Sequence, residues 1–160
     1  MNTLRDRLRI ILIPPVLLVA FLLVDVFISW PAIVDARHLL SGAPLSWLAM
    51  GMGTLSLSVV IASLRQLVRQ QTTFNALQSD KTQTLITDGC YALSRNPVYL
   101  GFVGLQLSAA LLLSTLSGVL ITPLLMALLT VLHIQVEEVQ MQRIFGHEWA
   151  TYCNKTRRWL

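Results

Sequence analysis

The chain has 160 residues, 54% of them apolar and only 12% charged, with a mean hydropathy of +0.64. A soluble domain of this size carries about 45–50% apolar and about 25% charged residues, so a soluble enzyme, a secreted disulfide scaffold and a disordered tail are excluded. The formal charge of +4 does not describe a nucleic-acid face, because the basic residues sit in the gaps between apolar runs.

A hydrocarbon core about 30 Å thick takes roughly 20 apolar residues of helix. Four stretches approach that length, at about 10–30, 45–64, 98–116 and 118–136. They predict an all-α, polytopic membrane bundle forming one domain over residues 1–160. Three arginines precede the first run, but it is too long for the core of a signal peptide and no small-x-small cleavage site follows. Pro14 and Pro15 fall in its first turns, where little backbone bonding is lost. Asp25 lies about a turn and a half from its outer end and is expected to reach headgroup water or a neighbouring hydroxyl. In the second run Gly51, Thr54, Ser56 and Ser58 are small enough for close packing. In the third, Gly101, Gly104 and Ser108 share one face at i, i+3 and i+7, which lets another backbone approach. The third and fourth runs, separated by a few residues around Ser117 and Gly118, form an antiparallel hairpin.

Arg5, Arg7 and Arg9 precede the first run; Arg65, Arg69, Lys81 and Arg95 lie between the second and third; Arg143, Lys155, Arg157 and Arg158 follow the fourth. Only Arg37 falls on the other side. By the positive-inside rule both termini and the long central loop are cytoplasmic. Cys90 and Cys153 have no metal-ligand spacing and are expected as reduced thiols.

The central segment of about thirty residues, 65–96, is longer than a connector needs to be, and a site would be built there. Two polar clusters mark that edge. One is TQTLITDGCYALSRNPVYLG at 82–101; the other is His133 with Glu137 and Glu138, followed by FGHEWATY at 145–152. The hairpin returns the second cluster to the first. Pro97 suits the first helical position, Asn96 can cap, and the free N–H groups with Arg95 make an anion site. Glu137 and Glu138 point about 100° apart, so at most one faces the same way as His133. A carboxylate aimed at Arg95 could accept bonds from an amino group or ribose hydroxyls. His133-x3-Glu137 lacks a third ligand, so no metal site is expected. Tyr91 and Tyr99 bracket the helix start and could face a bound cation. Beyond Glu138, the stripe Met141, Ile144, Phe145, Trp149 and Tyr152, flanked by basic residues, predicts an amphipathic C-terminal segment over 137–160 lying on anionic headgroups as an interfacial helix.

TLITDGCYALSRNPVYLG resembles the cofactor motif of the isoprenylcysteine carboxyl methyltransferase and phospholipid methyltransferase group, roughly LVTxGxYxxxR(H/N)PxYxG. The glutamate pair with FGHEWATY and the terminal RRW is similar to that family's second motif. The resemblance implies an integral-membrane methyltransferase that uses S-adenosylmethionine, with a cofactor-binding loop at 70–97. By analogy, backbone groups around Gln83, Leu85 and Ile86 meet the adenine, and Tyr91, Asn96, Pro97 and Tyr99 line the cofactor, with Gly101 closing the motif. Glu137 or Glu138 bonds its ribose or amino group. Arg95 pairs with the methionine carboxylate or orders the loop, and His133 could take a proton from an amine acceptor. Asn96 stands where the eukaryotic enzymes usually have histidine, as in many bacterial relatives, which makes a bacterial inner membrane the expected location. Gln135 and Val136 replace basic residues that commonly precede the glutamates.

The expected partners are therefore the lipid bilayer and a lipophilic small-molecule or lipid acceptor, with no nucleic acid and no obligate protein partner. Two other functions compete. A membrane reductase on a similar scaffold would use NADPH, whose 2′-phosphate demands basic residues that the central loop offers sparingly; a non-enzymatic subunit would bind no cofactor or bind it without turnover.

Overall fold

The computed structural model describes residues 11–34, 44–70 and 84–160, the side chains of 31–34 excepted. Gln83, Arg37, Lys81 and the three N-terminal arginines lie outside the described residues. Within them every regular element is helical: α1 (Pro14–Val34), α2 (Pro44–Arg69), a single turn α3 (Cys90–Leu93), α4 (Pro97–Leu112), and one continuous rod made of α5 (Leu116–Leu129), a π-helical turn (Thr130–Ile134) and α6 (Gln135–Phe145). A short α7 (His147–Lys155) follows.

The sequence explains most of these boundaries. Helix α1 starts at Pro14 rather than near residue 10, because the two prolines have no N–H to continue a helix from upstream; Val16 and Leu17 instead donate to the Ile13 carbonyl at 2.9 and 3.1 Å. Helix α2 runs through Arg65 to Arg69, more than a turn past its expected end, so both arginines stand on a helix and not in the loop. Its hydroxyls are absorbed locally, Thr54 on the Met50 carbonyl, Ser58 on Thr54 and Ser63 on Val59. The hairpin turn falls at 113–115, earlier than expected, with Ser114 at φ 53° and the Thr115 N–H on the Ala110 carbonyl at 3.0 Å. Gly118 therefore sits in the first turns of α5. Gly146, at φ 49°, ends the rod and reverses the chain into α7.

The small-residue face of α4 meets α2, as a close approach requires. A Cβ on Gly101 would collide with Val60 Cγ2 and lie 2.9 Å from the Ser56 carbonyl oxygen; one on Gly104 would strike the Ser56 hydroxyl. Ser108 Oγ donates to the Ala49 carbonyl at 2.7 Å. The complementary residues on α2 are Gly53, Ser56 and Val60. Of the expected ones only Ser56 takes part, since Gly51 faces open space and Thr54 and Ser58 are exposed.

Asp25 corrects a further expectation. It is completely buried, receives a hydrogen bond from Gln106 Nε2 of α4, and lies over Gly118, where a Cβ would stand 2.5 Å from its Oδ1. A carboxyl expected to reach the interface thus joins three helices inside the bundle.

The core cluster, which includes Leu17, Val98, Tyr99, Phe102, Leu129 and Ile134, sits toward the end of the bundle that carries the central loop. Outside, Leu23, Phe27, Trp30, Trp47, Leu48, Leu55, Leu116, Leu120 and Leu124 are exposed, an apolar girdle that water would not tolerate on a monomer. Two described helices, α2 and the rod Leu116–Phe145, are long and apolar enough to cross a membrane; Pro14–Trp30 and Pro97–Leu112 are shorter apolar helices. Helix α4, with 16 residues, rises about 24 Å at 1.5 Å per residue.

Candidate functional site

The site is assembled where three segments converge: the loop 84–96, the start of α6, and the C-terminal tail. Helix α2 holds the loop from one side. Gln66 Nε2 donates to the Asp88 carbonyl at 3.0 Å and to its carboxylate at 2.8 Å. Gly89 turns there at φ 57°, a conformation a side chain disfavours, and a Cβ would stand 2.7 Å from Gln66 Oε1.

At the head of α4, Pro97 takes the first helical position, as the sequence predicts. Asn96 occupies the N-cap position without capping through its side chain. Its amide instead donates to the Arg158 carbonyl at 3.0 Å, and Ser94 Oγ accepts the Asn96 N–H at 3.1 Å. The capping expectation fails: the side chain is committed to the tail through its amide N–H.

The glutamates divide between two directions. Glu137 accepts a 2.6 Å hydrogen bond from Tyr99 Oη. The Tyr99 ring is buried and lies 6.4 Å, centroid to centroid, from the imidazole of His133, so Glu137 is the glutamate on the His133 side. Glu138 turns to the loop and tail. Arg95 Nη1 lies 3.3 Å from its Oε1, and Arg158 clasps it with two nitrogens, Nη2 to Oε2 at 2.5 Å and Nε to Oε1 at 3.1 Å. The bond to Glu138 pushes the Arg158 guanidinium's pKa up, holding it protonated.

Arg95 is the hub. Besides Glu138 it contacts Cys153 Sγ at 2.6 Å, its guanidinium stands 5.7 Å over the Trp149 ring, and its Nε is buried with no partner. An N–H in that state costs on the order of 1–3 kcal/mol and marks a place where an acceptor would be welcome.

His133 is buried, and its Nε2 donates to the Leu12 carbonyl at 2.8 Å. The proline break at the start of α1 exposes that carbonyl, because Val16 N–H bonds Ile13 instead. The π-helical turn Thr130–Ile134 aims the ring at it.

The apolar stripe expected beyond Glu138 divides between α6 and α7. Trp149 and Tyr152 are buried and pack edge to face at 5.6 Å on the side of the loop; Tyr152 Oη donates to the Tyr91 carbonyl at 2.6 Å. Ile144 remains exposed. Burial pushes the phenols of Tyr91 and Tyr152 up, so both stay protonated near neutral pH.

Between loop and α7 lies an open cavity of about 600 Å³ lined by Leu85, Thr87 and Ala92 on one wall and His147, Glu148, Tyr152 and Lys155 on the other. The sequence-predicted residues thus separate. Leu85 lines the cavity with Ile86 buried nearby; Arg95 and Glu138 belong to the ionic network, Tyr99 and Glu137 to a separate bonded pair, and Asn96 and Pro97 to the head of α4. Gly101 stands a turn further along α4 at the α2 contact, and Gln83 lies outside the described residues. Sequence reasoning missed Gln66 and Ser94, and it placed Arg158 in the second motif's terminal RRW without giving it a role. Among the described residues no group of three or more His, Cys, Asp or Glu could hold a metal ion.

Among the described residues the molecule is thus an all-helical bundle clad in apolar side chains, with a half-buried ionic network of Arg95, Glu138 and Arg158 at the loop end of a helical hairpin. The family model described as phospholipid methyltransferase matches residues 45–148, most of the chain, and the protein belongs to that family. No curated protein and no solved structure matches it.

Proposed function

We propose that the protein is an integral-membrane methyltransferase of four spans that transfers a methyl group from S-adenosylmethionine to a lipophilic or lipid acceptor at the cytoplasmic face. The family supports methyl transfer. The observation that carries the cofactor is the network itself: two guanidiniums against one carboxylate leave one surplus positive charge, beside a buried N–H of Arg95 that has no acceptor.

These residues fit a ligand that offers a carboxylate, an ammonium and hydroxyls. Arg95 would take the carboxylate through a charge-assisted bond. Glu137, already oriented by Tyr99, would accept from ammonium or ribose, and Leu85 with Ile86 would flank the base. When bound, the cofactor supplies a methyl group on an electrophilic sulfonium. The chain's share is to align the two reactants and exclude water, which rigid packing of Tyr99, Trp149 and Tyr152 around the polar groups favours. His133, bonded to the Leu12 carbonyl through Nε2, is assigned to holding α1 against the π-helical turn. The eleven-to-one distribution of basic residues supports a cytoplasmic site, and an acceptor would approach from the bilayer between helices.

Calorimetry of the detergent-solubilised protein with S-adenosylhomocysteine, and NADPH as parallel titrant, tests the reading. Saturable binding of the homocysteine compound is expected, weakened in Arg95→Ala by about 1.5–3 kcal/mol, the range for a bond to a charged group. Binding of NADPH alone would establish a reductase instead, and binding of neither would leave a non-enzymatic subunit.

A further inference from the structure

The family match ends at residue 148, yet the polar network does not close without residues beyond it. The tail runs along the loop as a strap. Thr156 Oγ1 donates to the Ala92 carbonyl at 3.4 Å, the Arg157 carbonyl accepts the Arg95 N–H at 3.0 Å, and the Arg158 carbonyl accepts from Ser94 Oγ at 3.3 Å and Asn96 Nδ2 at 3.0 Å. Trp159 then packs against the core cluster of Tyr99, Phe102 and Leu129. Every loop residue from Ala92 to Asn96 except Leu93 is therefore bonded to the tail, and the tail is anchored on both sides of Arg158.

The side chain of Arg158 does something the backbone strap does not. Its fork takes both oxygens of Glu138, while Arg95 reaches only one of them, at 3.3 Å. A carboxylate shared in this way cannot fully neutralise Arg95. Were Arg158 absent, Glu138 would turn its whole charge on Arg95, and the network would carry no surplus to offer an anion.

We infer that Arg158 is a positioning residue of the ligand site: by clasping Glu138 it leaves the charge of Arg95 incompletely neutralised and open to an incoming carboxylate. The inference rests on the cofactor reading above, and it divides the ligand in two. The carboxylate-bearing end depends on Arg158, whereas the nucleoside end, held by the loop and by Leu85, does not. The charge count gives a second consequence. The network of Arg95, Glu138 and Arg158 sums to +1, Arg158→Gln brings it to zero, and Arg158→Gln combined with Glu138→Gln returns it to +1.

The experiment compares S-adenosylhomocysteine with 5′-methylthioadenosine, which keeps the nucleoside and lacks the amino-acid end, by calorimetry on the full-length protein in detergent. For Arg158→Gln, affinity for the homocysteine compound should fall tenfold or more while methylthioadenosine binds within about twofold of wild type, which also reports an intact fold. Arg158→Lys, which keeps the charge and loses the fork, should fall between the two. The double variant should recover most of the loss. Equal weakening of both ligands without recovery in the double variant would make Arg158 a structural strap and overturn the inference. Unchanged homocysteine-compound affinity in Arg158→Gln would overturn it too, leaving the cofactor reading intact. A wild-type protein that binds neither ligand would overturn both.

Discussion

Two polar clusters, one buried and one half-buried, stand at opposite ends of the α4–α5 hairpin, and they are built on different rules. Near the hairpin turn, Asp25 and Gln106 face each other from two packed helices, with Gly118 of a third pressed against them. The atoms left without partners there are acceptors, Asp25 Oδ1 and Gln106 Oε1. At the loop end, Arg95, Glu138 and Arg158 come from a loop, a helix and a tail, and the atom left over is a donor, Arg95 Nε. The first cluster is sealed by helix packing and joins elements. The second is held by a loop and a tail bonded to each other, and its two guanidiniums against one carboxylate leave a surplus positive charge. Polar groups of the same bundle are thus sealed among helices in one place and left with a spare donor in the other.

This contrast can be broken or sharpened by substitution. Gly118→Val should have the largest effect on stability. Its Cβ would enter a space where Asp25 Oδ1, Ala110 Cβ and Thr115 Oγ1 stand at 2.5, 2.7 and 2.7 Å, and overpacking of this kind costs about 1–3 kcal/mol or more. Thermal unfolding in detergent should show a clear drop in Tm, and an unchanged Tm would mean that the three helices do not meet as described. Asp25→Leu should follow, because it strands the buried Gln106 amide at a cost of about 1–3 kcal/mol. Asp25→Asn, which keeps an acceptor for Gln106, should cost less. Ligand affinity per folded molecule should be the same in both; if affinity moves with Asp25, the two clusters are coupled.

The smallest effect concerns pH. Burial raises the phenol pKa values of Tyr91 and Tyr152 above the ordinary value of 10.0. A group whose folded pKa lies above its unfolded one contributes stability below the unfolded value and loses it as pH rises further. Tm should therefore be insensitive to these phenols from pH 7 to about 9 and decline beyond about pH 10, less steeply in Tyr152→Phe. An identical alkaline decline in the variant would remove Tyr152 from that role.

Much of the frame was legible. Apolar run lengths located the helices, Pro97 marked the start of α4, and the short hairpin predicted that Arg95 and the glutamates would converge. The i, i+3, i+7 stripe of Gly101, Gly104 and Ser108 announced a close helix contact. It did not announce the partner: Gly53, Ser56 and Val60 of α2 complete that contact at the same i, i+3, i+7 spacing, but Val60 is not a small residue, and Gly51, Thr54 and Ser58 on other faces are as small as Gly53 and Ser56. Nor could α2's extension through Arg65 and Arg69 be read, since charged residues with long aliphatic stems continue a helix as readily as they end an apolar run.

What the sequence by itself determined was the set of helices, their apolar character, and the two motifs that converge at one end of the bundle. These follow from composition and local order along the chain, where burial and backbone hydrogen bonding act over a few turns. Only the tertiary structure decided that Asp25 lies inside the bundle on Gln106, that Glu137 belongs to Tyr99 and Glu138 to two arginines, that Trp149 and Tyr152 turn inward, and that the tail straps the loop. Each is a choice between partners distant in sequence, fixed by which groups reach one another once the helices have packed.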